Sequence, residues 1–412
     1  MKRNVFLLIL LAALVGTTIV VQQSKQKHFG SATAGIKSRE LLLPELSAAD
    51  TINNIRKLRI REGDKQVNLA LTDGLWRVAE RSNYPAAFDK ISRTLMNLRE
   101  LKTAGTQRIG KGAYGNIKLL APGEGTPEST GLNVEMMSDK GDLLSSFIAG
   151  KNIESSGGAS SGSFNGAGEQ RFVRVPKDAD TAWLINDSLS EIQTGPQEWI
   201  DKSFIDVRKL KSVEITGTVP ADSWSASRKD ENSEFKFAEN ANADELDTAK
   251  AGNLATLLSN PTFTDVLPKE KATPEFMKNV ISARLVTFED FHYDVKLMEI
   301  KQGDKEAEPK DFLTVTVTAE IPKERAPEKD EKEEDKKPKD DAFAANKKAL
   351  EEKLEREKKF EGWIYEVSNY VVTPLLKKRS EILREKPKAP PTPQIKIPQP
   401  AEAPQPDKPV EP

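Results

Sequence analysis

Two fragments of the sequence carry residue types used in phosphoryl transfer. Gly110, Gly112 and Gly115 of IGKGAYG fall on G-x-G-x-x-G, with Tyr114 before the last glycine. Glycines at that spacing let backbone N–H groups approach a phosphate closely. HYDVK, His292 to Lys296, has the form of the H-R-D-x-K that presents a base to an attacking hydroxyl, and KDFLT sets Asp311 and Phe312 as in a metal-holding D-F-G. Protein-kinase chemistry needs more than this. No strand resembling V-A-I-K follows Gly115 to bring a lysine to the phosphates. Glu299 stands where the metal-binding Asn belongs, and Leu313 replaces the last glycine of D-F-G. Phe291, Tyr293, Val295 and Leu297 alternate with polar residues around the HYDVK fragment, so it reads as a strand rather than a catalytic loop. The three glycines are expected in a surface loop between the first helix and the following hairpin.

Other catalytic sets are no better supported. Asp and Glu total 64, so acidic pairs arise at any spacing, and none lies in an apolar setting that would tune one of them as an acid. The serines from Ser155 to Ser163 lack a nucleophile elbow between a strand and a helix. The chain has no cysteine and only His28 and His292, which removes disulfides, thiol catalysis and most histidine-dependent metal or triad chemistry. A formal net charge of −2 gives no electrostatic case for nucleic acid. No catalytic, cofactor-binding or metal-ligating residue is therefore assigned, no cofactor is expected, and the chain reads as a non-enzyme.

The elements that would position any site follow from periodicity. Leu58 and Ile60, then Val67, Leu69 and Leu71, alternate as in half-buried strands; Asp73-Gly74 is a turn, and Leu75-Trp76-Arg77-Val78 opens another strand. Phe88, Ile91, Leu95, Leu98 and Leu101 step by three or four, an amphipathic helix with Pro85 near its first turn. GLNVEMMSDKGDLLSSFIAGK reads as a hairpin, and RFVRVPKDADTAWLI as a strand pair after a Gly/Ser-rich loop. The plan then recurs. KSVEITG repeats the opening strand, DSWSASRK sets Trp224 in the place of Trp76, ADELDTAKAGNLATLLSNPTFTDVL supplies a second helix, and GWIYEVSNYVVTPLLKKRSEIL repeats the closing segment. The five tryptophans lie at strand ends and beside turns, as core or sheet-edge residues.

The expected fold class is thus α+β: two related modules of antiparallel sheet with one amphipathic helix each, after one N-terminal transmembrane helix. Residues 1–24 form a short cytoplasmic stub and signal anchor, 25–50 a linker, 51–205 the first module and 206–385 the second. The anchor rests on the uncharged run VFLLILLAALVGTTIVV after MKRN, about 25 Å as a helix. A cleaved signal peptide is the competing reading, but the A-x-A at Ala32 to Ala34 lies far beyond the apolar run. Residues 321–359 are a charged insertion with helix formers from Ala342 to Lys359, expected as a solvated arm, and 386–412 a Pro-rich extended tail.

Taken in order, GLWRV (Gly74 to Val78), YPA (Tyr84 to Ala86), TGLNVEM (Thr130 to Met136) and GPQEWIDKSF (Gly195 to Phe204) resemble the bacterial domain of unknown function 4340 (DUF4340) family. The resemblance covers about residues 55 to 210 and is expected to extend through the second copy. It implies anchoring by one N-terminal span and, because family genes often neighbour those of ABC-type transporters, a role beside such a complex with a protein partner. The short N-terminal tail is expected on the cytoplasmic side of the bacterial inner membrane, with the bulk of the chain periplasmic. The family supplies no catalytic residues. The leading expectation is a scaffold or auxiliary subunit of a membrane complex. A small-molecule or glycan-binding module comes second, to be favoured by an aromatic cluster, and an enzyme of unrecognised type third.

Overall fold

The computed structural model describes residues 40–153, 170–178, 181–238, 244–272, 278–300, 309–327 and 331–385. The expected membrane anchor, the Pro-rich tail and nearly all of the Gly/Ser-rich loop lie outside the described residues. Among the described residues, no helix is long and apolar enough to cross a membrane.

After a short helix α1 (Ala49–Asn53) come β1 (Lys57–Glu62), β2 (Lys65–Thr72), β3 (Leu75–Val78), β4 (Tyr84–Pro85), α2 (Phe88–Glu100), β5 (Thr103–Arg108), β6 (Leu132–Met137), β7 (Leu143–Ile153), β8 (Gln170–Arg174) and β9 (Thr181–Ile185). The strands form one antiparallel sheet in the order β4-β3-β2-β1-β6-β7-β8-β9-β5. Its register puts Leu58 opposite Leu69 and Ile60 opposite Val67, so the alternation read in the sequence becomes one buried face. Asp73 and Gly74, both at positive φ, make the tight turn from β2 to β3.

The second half contributes β10 (Leu210–Thr216), β11 (Trp224–Ser227), β12 (Lys236–Phe237), α3 (Thr248–Ala251), β13 (Phe263–Pro268), β14 (Ile281–Thr287), β15 (Phe291–Ile300), β16 (Lys310–Ala319), α4 (Glu333–Lys358), β17 (Trp363–Val367) and α5 (Asn369–Leu376). Its sheet runs β12-β11-β10-β14-β15-β16-β17-β13. Apart from β4 this is the first sheet again: a meander, a helix, a strand sent to the far edge, then four strands returning. Even an irregularity recurs. The far-edge strand slips register between Thr103 and Gly105 against β9, and between Phe263 and Asp265 against β17. The α+β class with two antiparallel modules therefore holds, and the chain order of both sheets is the same.

Several details differ from the expectation. The second helix is four residues long: Gly252, at φ +81°, breaks it, a single 3-10 turn follows at Leu254–Thr256, and the TFTDVL read as helix is β13. Trp224 sits on β11, the second strand of its meander, whereas Trp76 sits on the third, and Phe237 of β12 holds the position of GLWRV. Neighbouring strands share one period, so alternation does not distinguish them. Pro85 belongs to β4, paired with Arg77, not to the first turn of α2. Thr103 to Arg108, a largely polar stretch without hydrophobic alternation, is an edge strand held by main-chain bonds to β9.

The charged insertion starts its helix at Glu333, well before Ala342, and one side of it packs. Lys336, Lys339, Phe343, Lys347, Leu350 and Leu354 are half-buried at spacings of three and four, and Glu357 is 1% exposed. Few of these are apolar. The contact combines Leu350 and Leu354 with charged stems and with Lys347 Nζ donating to the Lys323 carbonyl at 3.2 Å.

The two modules share one continuous core. Arg81 reaches from the first to Asp265 on β13 as a two-pronged pair of 2.5 and 2.6 Å, and Lys202 Nζ donates to the Thr264 carbonyl. Tyr84 packs edge-on to Trp363 with ring centroids 4.9 Å apart, and Phe204 lies 4.4 Å from Tyr365. Tyr84 is also hydrogen-bonded to Tyr365, whose hydroxyl donates to the Phe360 carbonyl at 3.0 Å; burial drives both phenols well above the usual tyrosine value.

Candidate functional site

Three of the segments singled out in the sequence meet at one place on the first module. The Asp73-Gly74 turn presents Leu75 at its tip, 52% exposed, and turns Trp76 inward. The Trp76 carbonyl accepts from Ala86 N at 2.7 Å. Ala87 N donates to the Trp199 carbonyl at 2.8 Å and Asp201 N to the Pro85 carbonyl at 2.9 Å, with Ala86 bridging Ile200. GLWRV, YPA and GPQEWIDKSF are therefore laced into one backbone unit. The fourth segment, TGLNVEM, is the central strand β6 beside β1.

Trp199 fixes this unit. Its side chain is fully buried, and Nε1 donates to the Gln193 carbonyl at 2.8 Å. Lys90 Nζ stands 4.6 Å from the indole centroid and donates to the Glu198 carbonyl at 3.0 Å. Burial holds the Lys90 pKa below the usual lysine value, against the pull of Glu198 and Glu191.

On this base lies an open groove of 640 Å³ between α2, the Leu75 turn and the residues after α1. Its floor is apolar, with Ile55, Trp76, Ile91 and Leu95 buried. Its rim carries three large exposed apolar side chains: Leu75, Phe88 at 63% and Met96 at 44%. Helical periodicity predicted that Phe88 would join the buried stripe. Instead the stripe is Ile91, Thr94, Leu95 and Leu98, and Phe88, Ser92 and Met96 form a second row along the groove. The spacing of Phe88 and Met96, two turns apart and off the line of Ile91 and Leu95, was the available signal.

The groove's polar groups bond to near neighbours in the chain. Asp201 accepts from Ser203 N at 2.9 Å and from its hydroxyl at 2.7 Å, and Arg56 donates to the carbonyls of Asn53 and Ile55. Asp89 is exposed on α2. The Asp201–Ser203 contact joins residues two apart in the chain, as in a local Asx turn.

The phosphoryl-transfer fragments are not brought together. Gly112 and Gly115 belong to two single 3-10 turns after β5, Gly110 immediately precedes the first, and none of the three has positive φ. Tyr114 is buried in a small core with Leu119, Phe172 and Ala182, under the Arg174 guanidinium at 5.4 Å. Asp294 on β15 accepts from Arg284 Nε at 2.8 Å, while Asp311 on β16 lies opposite Glu299 and accepts from Asn369 at 3.1 Å. Strand alternation puts Asp294 and Asp311 on opposite faces of the sheet. Among the described residues no group of three His, Asp or Glu could hold a metal ion.

One buried acid escaped the sequence altogether. Glu357 of α4 accepts from the Tyr293 hydroxyl at 2.7 Å and from Asp206 N at 3.2 Å. Burial raises its carboxyl pKa above the usual range, and the Tyr293 hydrogen bond, Lys353 and the Asp206 N–H oppose that shift. It is enclosed by strand and helix rather than by a cavity, and reads as a structural contact.

Residues 76–279 match the model of a family described as a domain of unknown function (DUF4340), a stretch that begins at Trp76 on the groove floor and crosses into the second module. No curated protein and no solved structure matches the chain.

Proposed function

From a chain that belongs to the DUF4340 family, we propose a non-enzymatic, membrane-anchored scaffold or auxiliary subunit of an envelope complex, the first module's groove being its protein-docking surface. The observation that carries this is the groove itself. Leu75, Phe88 and Met96 are exposed together beside a buried apolar floor, at the point where three of the family-like segments interlock. Exposed apolar rows of this kind mark interaction sites, and a row along a helix matches a partner helix presenting residues at three- and four-residue spacing. In this proposal the apolar run Val5 to Val21 holds the chain in the inner membrane with both modules on the periplasmic side, and the complex served is of the ABC-transporter type suggested by the family resemblance.

A small-molecule or glycan module is the weaker reading. The aromatic cluster that would favour it exists, but Tyr84, Phe263 and Tyr365 are almost wholly buried against one another at the junction of the modules.

The test is site-specific photo-crosslinking of the full chain in the membranes of its own host, from position 88 and, as a control, from exposed position 352 on the outer side of α4, with mass spectrometry of the adducts. The expected result is a recurrent protein adduct from position 88 alone, lost in the Leu75→Asp/Met96→Asp variant. Equal labelling from both positions, or none from position 88, overturns the proposal.

A further inference from the structure

The exposed row on α2 has a symmetry that selects its partner. Phe88 and Met96 lie one helical repeat on either side of Ser92, a large–small–large pattern about a residue small enough to sit at a helix crossing. Asp89 and Arg93 occupy the adjacent flank one turn apart, both exposed, and among the described residues neither is held in an ion pair. Consider two copies of α2 laid antiparallel about a two-fold axis through Ser92. Phe88 of each copy then meets Met96 of the other, and because the axis keeps each flank on its own side, Asp89 of each faces Arg93 of the other. The same row thus offers apolar and charged complementarity to itself, the requirement of an isologous interface. An unrelated partner helix has no reason to find its charges matched at that spacing.

We propose that the groove's occupant is α2 of a second copy of this chain, so that the working unit is a two-fold dimer joined through Phe88, Ser92 and Met96. This rests on the reading of the groove as a protein-docking surface. Leu75, projecting from the Asp73-Gly74 turn at the groove's edge, closes over the partner's helix, and Asp89 and Arg93 set its direction. A parallel pairing, about an axis along the helices, would set Phe88 against Phe88 and carry the two Asp89–Arg93 flanks to opposite sides of the interface, so it forfeits the charge pairing.

The chain has no cysteine, so single substitutions report geometry without background. Full-length protein in its host membrane is treated with a short bis-maleimide. Ser92→Cys is expected to give a cross-linked dimer. Phe88→Cys and Met96→Cys, about 12 Å from their own symmetry mates, are expected to give little alone but a strong product when the two variants are co-expressed. Detergent-solubilised protein should have a dimer's mass by light scattering. Asp89→Arg should weaken association about three- to tenfold, and Asp89→Arg/Arg93→Asp should restore it. A Ser92→Cys chain that stays monomeric, a Phe88→Cys chain that cross-links to itself as well as Ser92→Cys does, or a charge swap that fails to rescue overturns the dimer. A monomer that still gives an adduct with another envelope protein from position 88 sinks the dimer and leaves the scaffold reading standing. A dimer that captures no other envelope protein does the reverse.

Discussion

The two modules share a strand order but not a way of covering their sheets. In the first, α2 runs 13 residues over the sheet with no side-chain N-cap, since Ala87 stands at that position. In the second, Asp247 caps α3, accepting from Ala249 N at 3.0 Å and Lys250 N at 3.1 Å, yet the helix ends after four residues at Gly252. A good cap does not lengthen a helix whose sequence breaks it. The face that α3 leaves is covered from elsewhere, by α4, inserted between β16 and β17. Glu357 of α4 reaches the hydroxyl of Tyr293 on β15, and in the first module Glu45 of the leading 3-10 turn reaches that of Ser145 on β7, the corresponding strand; both contacts are 2.7 Å. A repeated sheet thus accepts different covers, and the cover decides whether a groove stays open. The long helix of the first module leaves one.

The closing segments offer the largest test of that comparison. Trp199 and Ile382 hold equivalent places, each accepting the backbone N–H that starts the module's helix, from Ala87 and Asp247 at 2.8 and 2.9 Å. Both are fully buried. Trp199→Ala should cost about 3–5 kcal/mol and Ile382→Ala about 2–4 kcal/mol in urea unfolding of the full chain. If Trp199→Ala proves the cheaper, the first module is not the one built around its closing segment. Glu357→Ala comes next, at about 1–3 kcal/mol, because it strands the Tyr293 hydroxyl and Asp206 N–H. Glu357→Gln keeps an acceptor and should cost less. Its pH signature is distinct. The raised folded-state pKa means that folding favours the protonated acid, so this group's contribution to stability is complete below the unfolded carboxyl pKa and declines as the pH rises through the folded one. The glutamine variant should flatten that decline; an unchanged pH profile would show that Glu357 does not titrate this way.

Smaller effects probe the joint between the modules and the short helix. Arg81 and Asp265 are each about a fifth to a quarter exposed, so their pair is partly screened. A double-mutant cycle over Arg81→Ala and Asp265→Ala should return a coupling of about 1–2 kcal/mol. A coupling near zero would mean that the aromatic packing of Tyr84 and Phe204 alone joins the modules. Asp247→Ala should cost about 1 kcal/mol by removing the α3 cap, with no loss expected in the uncapped first module from Ala87→Gly beyond a few tenths.

Much of the strand pattern was legible because alternation is a local property. Leu58, Ile60, Val67 and Leu69 face one way whatever lies beyond them, and the hairpin around Asp139 to Gly141 carries its own turn. The edge strand at Thr103 to Arg108 was not legible, since an edge is held by main-chain bonds that leave no mark on side-chain order. The placement of Trp224 failed for a related reason: neighbouring strands of a meander have the same period. The packing of α4 was hidden because its contacts use charged stems and only two leucines.

By itself, the sequence determined that this chain is two α+β modules of antiparallel sheet, and that the fragments resembling a kinase sit in strands and turns. These follow from periods of two and 3.6, which each segment expresses alone. The tertiary structure decided which apolar residues remain outside. Phe88 reads as core until the sheet, the Trp199 segment and the Leu75 turn show that Ile91, Leu95 and Leu98 already fill the space beneath α2. Periodicity defines a face; only packing determines what that face meets.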